Sequence, residues 1–240
     1  MGSEDLFRWM NERLFRRTPP HHARNSQPDA RRVRDAFHRL YYGTGREPGP
    51  WRHTYWLGVP VFKCPLDLWV YQELIVELRP DWIIETGTAY GGSALYLASI
   101  CDLLGHGRIL TVDVVQGVSR PNHPRIFYVT GSSTSAQVLD TVTRSVRGAS
   151  VVMVILDSDH SRDHVLNELR QYSNLVTLGS YLIVEDTNVN GHPVCPEHGP
   201  GPMEAVVSFV EEDKRFEVDV SREKFLMTFN PRGFLKKVAP

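Results

Sequence analysis

Acidic residues stand where several apolar runs of this chain end. Asp157 follows one such run, and the adjacent pair Glu185 and Asp186 follows another. Ligand sets made only of oxygen favour a hard divalent cation, with magnesium first and calcium or manganese next. We therefore predict a metal site at Asp157, Glu185 and Asp186. In the alternative interpretation, one or two of these acids cap a helix or pair with a basic side chain.

His160 lies three residues after Asp157. An imidazole can take up a proton near neutral pH, so His160 is the first candidate for a general base. Asp157 would join it as a catalytic residue by holding a metal ion beside a substrate hydroxyl. The competing interpretation makes His160 a helix-start residue or a residue that orients a metal ligand.

The stretch 81–93, DWIIETGTAYGGS, has the pattern of a short strand, a glycine-bearing turn and the start of a helix. Gly87, Gly91 and Gly92 would let a ligand approach the backbone, and the helix N-terminus would offer free N–H donors. The spacing G-x-x-x-G-G differs from the dinucleotide-binding pattern, which favours a nucleotide-type cofactor without a diphosphate. An ordinary strand-to-helix turn is the alternative.

Two further segments support a nucleotide-type cofactor. Asp113 ends the apolar run after the glycine turn, where an acid can accept hydrogen bonds from ribose hydroxyls. Ser132 and Ser133 follow the next apolar run and form a small polar turn suited to an adenine edge. The loop 187–202, rich in glycine and proline, is predicted to be a substrate lid in which His192 is a further candidate for substrate contact.

The elements that must position these residues follow from the hydrophobic periodicity. Strands alternate with helices, which predicts an α/β fold with a doubly wound, mostly parallel, Rossmann-like sheet. Ligands of such a sheet gather beyond the carboxyl ends of its strands. The predicted strands are 82–84, 108–113, 125–130, 151–156, 181–184, 216–219 and 225–229. The predicted helices include 65–78, 135–146, 163–176 and 203–212, with a further helix that begins at residue 93.

Residues 1–50 are predicted to form a helical extension and residues 51–240 the main domain. The extension contains an amphipathic helix over residues 4–17 and another over 31–42. The aromatic segment 43–65 is predicted either to cover a substrate pocket or simply to pack its rings over the sheet. The amphipathic helix would pack on the main domain or on a second subunit, so we expect a homo-oligomer.

Composition excludes several classes of protein. A formal net charge of −1 over 240 residues gives no reason to expect nucleic-acid binding. No apolar stretch approaches the roughly 20 residues that a membrane-spanning helix needs, and no signal peptide is recognisable. The three cysteines are scattered and form no C-x-x-C pair, which favours a reducing compartment. We expect a cytoplasmic protein with a small-molecule partner.

Five sequence blocks resemble the bacterial cephalosporin hydroxylase family, which also includes rhamnosyl O-methyltransferases. The resemblance covers roughly residues 54–238, and the blocks are ETGTAYGGSA (85–94), LDSDHSRDHV (156–165), YLIVEDTNVNGHP (181–193), GPGPMEAV (199–206) and FLMTFNPRGFL (225–235). It implies a class I S-adenosylmethionine methyltransferase. Magnesium would be held by Asp157, Glu185 and Asp186. The resemblance implies cofactor contacts in the turn, at Glu85, Gly87, Thr88, Tyr90, Gly91 and Ser93, and at Asp113. The predicted cofactor-binding residues also include Ser132, Ser133 and Asp157.

These observations predict an S-adenosylmethionine- and Mg²⁺-dependent O-methyltransferase. Its acceptor would be a hydroxyl of a sugar or of a glycosylated natural product. One alternative is a hydroxylase of a secondary metabolite, and another is a non-catalytic partner subunit that binds cofactor or substrate for a second enzyme. Product mass separates the first alternative, because methyl transfer adds about 14 Da and hydroxylation about 16 Da. Binding without turnover would indicate the second.

Overall fold

The computed structural model describes residues 29–44 and 47–240. By packing, the chain divides into residues 1–33 and residues 34–240. The helix predicted over residues 4–17 lies outside the described residues, and the domain boundary at residue 50 stays a prediction. Among the described residues, no helix is long and apolar enough to cross a bilayer.

Helices and strands alternate along most of the described chain. The α-helices are α1 (Ala30–Tyr42), α2 (Pro65–Leu78), α3 (Gly92–Leu104), α4 (Ala136–Ser145), α5 (Arg162–Tyr172) and α6 (Pro202–Glu212). The short strands before the main sheet are β1 (Gly43–Thr44), β2 (Glu47–Pro48), β3 (Tyr55–Trp56) and β4 (Val59–Pro60). The strands of the main sheet are β5 (Trp82–Thr86), β6 (Arg108–Asp113), β7 (Ile126–Thr130), β8 (Val152–Leu156), β9 (Tyr181–Val184), β10 (Phe216–Val218) and β11 (Phe234–Lys237). Two 3₁₀ helices cover Pro50–His53 and Val220–Glu223.

Seven strands form the main sheet in the order β10-β11-β9-β8-β5-β6-β7. The five strands from β9 to β7 are parallel, whereas β10 and β11 run antiparallel to their neighbours. Successive side chains of a strand point to opposite faces, and both faces of this sheet are covered by apolar clusters. All five residues of β8 are buried, as expected for a central parallel strand. The predicted fold class is confirmed.

The strand predicted over residues 225–229 is wrong. Leu226 adopts a left-handed backbone conformation with φ of 70°, and the backbone N–H of Phe229 donates to Asp67 Oδ2 at 2.8 Å instead of to a neighbouring strand. The Phe229 ring packs among Tyr42, Trp51 and other aromatic rings. The closing strand is β11, whose residues Phe234–Lys236 pair with β9. Gly233 allows this pairing, because a Cβ there would lie 2.2 Å from the carbonyl oxygen of Val184.

The strand register brings the candidate residues to one edge of the sheet. Thr86 of β5 lies beside Leu156 of β8 and Val112 of β6, and Leu156 lies beside Val184 of β9. The residues that follow these strand ends are therefore neighbours, although they are far apart in sequence. Parallel strands thus place the glycine turn and the acidic residues at the same edge.

Candidate active site

A cleft of about 500 Å³ opens at the carboxyl edge of the sheet. Nine predicted site residues line it: Gly87, Thr88, Ser93, Asp113, Ser132, Ser133, Asp157, His160 and Asp186. Four others do not line it: Glu85, Tyr90, Gly91 and Glu185. The structure therefore brings most of the predicted residues together in the cleft. The remaining four lie outside its lining.

The glycines of the turn allow segments of the chain itself to approach closely. Gly87 has φ of 86°, and a Cβ there would lie 1.8 Å from the carbonyl oxygen of Asp157. A Cβ at Gly92 would lie 2.0 Å from the carbonyl oxygen of Pro60. Both contacts are with backbone, which cannot move aside as a side chain can. These glycines are thus required by the fold, and they also leave the turn open towards the cleft.

Glu85 lies beneath the glycine turn and is fully buried. Its carboxylate accepts hydrogen bonds from Ser93 Oγ and, at 2.7 Å, from Thr111 Oγ1. Burial raises the pKa of Glu85 to about 7, although the ammonium group of Lys63 opposes that change. Glu85 therefore supports the turn from inside the protein. Tyr90 is exposed and contacts Phe62 edge-on, with 5.6 Å between ring centroids.

The Asp113 carboxylate is held in place at the wall of the cleft. Its Oδ2 accepts a hydrogen bond from the backbone N–H of Ala89 at 2.7 Å, and its Oδ1 accepts one from Val115 at 2.8 Å. Arg120 Nη2 lies 3.3 Å from Oδ2, and Arg120 Nε donates to the carbonyl oxygen of Ala89. This network orients the carboxylate at the end of β6, where a ribose would be expected.

On the floor of the cleft, Asp157, His160 and Asp186 can offer ligand atoms that all lie within 4.8 Å of one another. His160 Nε2 is 3.3 Å from Asp157 Oδ1 and 3.4 Å from Asp186 Oδ2. The backbone turns at Asp186, whose φ is 52°. This left-handed conformation sends Asp186 into the cleft, whereas the preceding residue, Glu185, is directed to the interior. Two carboxylates and one imidazole are a ligand set suited to a divalent cation.

Lys63 was not among the predicted site residues. Its ammonium group is buried, with 2% of the side chain exposed, and lies 2.6 Å from Asp157 Oδ2 and 2.8 Å from Glu185 Oε1. Tyr71 also donates a hydrogen bond to Glu185 Oε1. Burial by itself would lower the pKa of Lys63, but the carboxylates of Asp157 and Glu185 outweigh burial and raise it. Lys63 is therefore a permanent positive charge beneath the cleft.

The charges of the cleft floor depend on one another. Burial would lower the pKa of His160, but the carboxylates of Asp186 and Asp157 raise it to about 9. Burial raises the pKa of Asp186 to about 7. Burial would also raise the pKa of Asp157, but Lys63 and His160 hold it below its usual range. At neutral pH Asp157 is therefore ionised and His160 carries a proton.

Two aromatic side chains also line the cleft. Trp51 and Phe62 line it, with 6.1 Å between their ring centroids and an angle of 81° between the rings. Trp56, by contrast, packs on Tyr96 in the core and donates to Ser99 Oγ. Packing of a ring on the core is confirmed for Trp56, whereas cover of a substrate pocket by this segment stays a prediction.

His192 does not line the cleft. Its Nε2 lies 2.9 Å from Glu204 Oε1, and Glu204 also accepts a hydrogen bond from the backbone N–H of Gly201 at the start of α6. The contact between His192 and a substrate therefore stays a prediction. His164 instead lines the cleft, with Nε2 3.2 Å from Ser133 Oγ.

The parallel sheet, the glycine turn and an acid at the end of β6 define a protein of the class I methyltransferase type. The model of the family "Rhamnosyl O-methyltransferase/CmcI" matches residues 49–238. The chain belongs to this family. By fold and family it is a methyltransferase-type enzyme.

Named relatives and solved structures agree with that membership. The chain is 40% identical over 210 residues to the rhamnosyl O-methyltransferase of Mycobacterium tuberculosis strain H37Rv, and the match covers 85% of this chain and 84% of that protein. It is 38% identical over 209 residues to the rhamnosyl O-methyltransferase of Mycobacterium leprae, covering 85% and 90%. A structure of CmcI with Mg and SAM aligns with a TM-score of 0.64 at 18% identity, covering 91% of this chain and 88% of that one. At this identity the alignment establishes the fold.

Proposed function

We propose that this protein is an S-adenosylmethionine-dependent O-methyltransferase that modifies a hydroxyl of a rhamnose-type sugar on a glycosylated acceptor. The observation that carries the proposal is one cleft that joins the glycine turn and Asp113 to the group Asp157, His160 and Asp186. The two mycobacterial relatives named rhamnosyl O-methyltransferase support the choice of acceptor. A donor site and an acceptor site that share one cleft are what a direct transfer of a methyl group requires.

The cofactor would lie between the glycine turn and the end of β6. Asp113, fixed by the N–H groups of Ala89 and Val115, would accept hydrogen bonds from the ribose hydroxyls. The N-terminus of α3, which begins at Gly92, would bind the methionine carboxylate with its free N–H groups. Ser132 and Ser133 line the same cleft and would contact the adenine.

The residues on the cleft floor fit a divalent cation, magnesium or manganese, because their ligand atoms lie within 4.8 Å of one another. Of the three predicted ligands, Asp157 and Asp186 belong to this group, whereas Glu185 Oε1 contacts Lys63 Nζ at 2.8 Å. When bound, such a cation would hold the acceptor oxygens and lower the pKa of the reacting hydroxyl. The carboxylates of Asp157 and Asp186 would position the cation and the acceptor, and His160 Nε2 lies 3.3 Å from Asp157 Oδ1 and 3.4 Å from Asp186 Oδ2.

The role of His160 as a general base stays a proposal, and it depends on the protonation state of the imidazole. With its pKa raised to about 9, His160 carries a proton at neutral pH and can remove one from a hydroxyl only after it has lost its own. Among the described residues, the group on the cleft floor has one imidazole and two carboxylates. The usual iron site of hydroxylases has two imidazoles and one carboxylate, so this observation does not favour a hydroxylase.

Methyl transfer can be tested with purified protein, S-adenosylmethionine, Mg²⁺ and a panel of rhamnosyl glycosides, with the matching galactosyl glycosides as controls. We expect a rhamnosyl product heavier by about 14 Da, no product after chelation of the metal, and recovery when Mg²⁺ is added back. Asp157→Asn and Asp186→Asn should lower the rate by at least about 100-fold while cofactor binding persists. Cofactor binding without methylation of any rhamnosyl acceptor would overturn the proposal.

A further inference from the structure

One face of α5 connects a buried acid to the serine hydroxyls of the cleft. His164, Glu168 and Tyr172 are spaced four residues apart on this helix, so their side chains lie on the same face. Tyr172 donates a hydrogen bond to the carbonyl oxygen of Ser133 at 2.9 Å. His164 lines the cleft, whereas Glu168 is fully buried. The function proposed above assigns no role to these three residues of α5.

The direction of the hydrogen bonds is set at Glu168. Its Oε1 accepts from Ser158 Oγ at 2.7 Å, because a carboxylate has lone pairs but no hydrogen to donate. Its Oε2 is buried and has no hydrogen-bond partner among the described residues, so the carboxylate depends on Ser158 and on His164 Nε2, 3.6 Å from Oε1. The one hydroxyl hydrogen of Ser158 is therefore directed to the interior, although Ser158 is exposed and lines the cleft.

His164 is the next link, and it must donate from Nε2. This nitrogen lies 3.1 Å from Ser158 Oγ and 3.2 Å from Ser133 Oγ. Since the Ser158 hydrogen is already used, a hydrogen bond between Ser158 and His164 requires a hydrogen on Nε2. The hydrogen bond with Glu168 also raises the pKa of His164, which favours the protonated nitrogen. The imidazole therefore shares its Nε2 hydrogen between the two serine oxygens.

The two serines thus present opposite polarity to the cleft that both of them line. An Nε2 that carries a hydrogen has no lone pair, so Ser133 can accept from His164 but cannot donate to it. Among the described residues, Ser133 Oγ has no other hydrogen-bond partner, and its own hydrogen is available to a ligand. Ser158 has used its hydrogen, and its second lone pair is available instead. The cleft therefore offers a donor at Ser133 and an acceptor at Ser158.

We propose that Ser133 and Ser158 recognise the base of the cofactor as adenine, with His164 as the positioning residue that sets the direction of both hydroxyls. Glu168 fixes that direction from the interior. This inference rests on the S-adenosylmethionine site of the proposed function. Adenine carries a donor, its amino group, next to ring nitrogens that accept. Hypoxanthine has an oxygen in place of the amino group and a hydrogen on the neighbouring ring nitrogen, so its pattern is reversed and does not match the two serines.

Calorimetric titration with S-adenosylhomocysteine and S-inosylhomocysteine tests this recognition without a turnover assay. The wild type should bind the adenosyl compound at least about 30-fold more tightly, because the inosyl compound leaves two hydrogen-bonding groups mismatched. Ser133→Ala and Ser158→Ala should each lower that ratio about fivefold, since each removes one of the two groups. Glu168→Gln gives the buried end of the network a donor as well as an acceptor, so it should lower the ratio at least about threefold.

Two replacements of His164 separate a positioning role from a structural one. His164→Leu removes the donor and should reduce the ratio to less than about fivefold, because both serine hydroxyls can then rotate. His164→Gln places an amide N–H near the position of Nε2, so its ratio should stay within about threefold of the wild type. His123→Leu is the matched control, since His123 Nε2 also faces an acid, Asp102 Oδ2 at 3.0 Å, but does not line the cleft. This control should change the ratio by less than about twofold.

Three results would overturn the recognition of adenine by this network. One is equal affinity of the wild type for the two compounds. Another is a ratio in His164→Leu equal to that of the wild type. The third is a ratio in His164→Gln as low as that in His164→Leu, which would indicate a role in packing alone. If His164→Leu does not fold, Ser133→Ala and Ser158→Ala decide the question, since each removes only one oxygen, and unchanged ratios in both would overturn the proposal.

The same titrations distinguish this inference from the proposed function. In each of the three results above S-adenosylhomocysteine still binds, so the proposed function stands. Failure of the wild type to bind S-adenosylhomocysteine would overturn both. Selective binding of the adenosyl compound without methylation of any rhamnosyl glycoside would overturn the proposed function and leave the recognition of adenine in place.

Discussion

Gly87 offers the sharpest test of how the fold creates the cleft. Replacement by alanine would place a Cβ 1.8 Å from the carbonyl oxygen of Asp157 and 2.6 Å from its carbonyl carbon. Relief of this contact requires the ends of β5 and β8 to move apart. Those strand ends carry the glycine turn and the acidic group, so we expect Gly87→Ala to damage stability and cofactor binding together.

The expected loss of stability in Gly87→Ala has two parts. A left-handed conformation costs alanine roughly 1–2 kcal/mol, and overpacking typically costs a further 1–3 kcal/mol. Because the contact at Gly87 is with backbone, we expect the upper part of that second range and a total of about 3–5 kcal/mol. For a chain of this size, each kcal/mol lowers Tm by about 2–4 °C.

Gly148→Ala is the matched control. Gly148 has φ of 81°, nearly the same as the 86° of Gly87, but an added Cβ there would meet no atom within 4 Å. It should therefore lose only the conformational part, about 1–2 kcal/mol, and keep its affinity for S-adenosylhomocysteine. Urea unfolding and calorimetric titration of both variants measure the two effects. Equal destabilisation of the two variants, or full cofactor affinity in Gly87→Ala, would refute the reasoning from the backbone contact.

Three other predictions concern the pH response and the two ends of the cleft. Burial lowers the pKa of His38 to about 4, so between pH 6.5 and 4 only the unfolded chain gains a proton at this histidine. The free energy of unfolding therefore falls on acidification, by at most about 3 kcal/mol. Urea unfolding at both pH values should show a smaller fall in His38→Gln, and an equal fall contradicts the assignment. Asp113→Asn should lower the affinity for S-adenosylhomocysteine, measured by calorimetry, about 10- to 100-fold. Asp163→Asn, which changes a side chain that is 90% exposed, should not lower it. Equal affinities of the two variants would remove Asp113 from the cofactor site. Trp51→Ala should raise the KM for the acceptor about tenfold with little change in cofactor affinity. Tyr55→Ala is its control, because Tyr55 does not line the cleft. An unchanged KM in Trp51→Ala would exclude Trp51 from the acceptor site.

Much of the fold could be predicted from the sequence, because the patterns that indicate strands and helices are local. The apolar runs that became β6, β8 and β9 were recognised by composition and length, and α2 by helical periodicity ended by Pro80. A general rule for open parallel sheets then placed the residues after these strands at one edge. It correctly located Asp113, Asp157 and Asp186 at the cleft, since the rule needs only the strand ends and their direction.

Tertiary packing decided which oxygen faces which partner. Lys63 pairs with Asp157 and Glu185 across 94 and 122 residues of chain, and no local pattern announces such a contact. The left-handed turn at Asp186 separates it from Glu185, although the two are adjacent in sequence. For the same reason residues 225–229 have the composition of a strand, yet the backbone N–H of Phe229 donates to Asp67 Oδ2 and the Phe229 ring packs on Tyr42. The sequence alone determined where charged residues gather, because strand ends are set by local periodicity. Packing alone determined how these charged residues pair, because pairing depends on which distant segments come into contact.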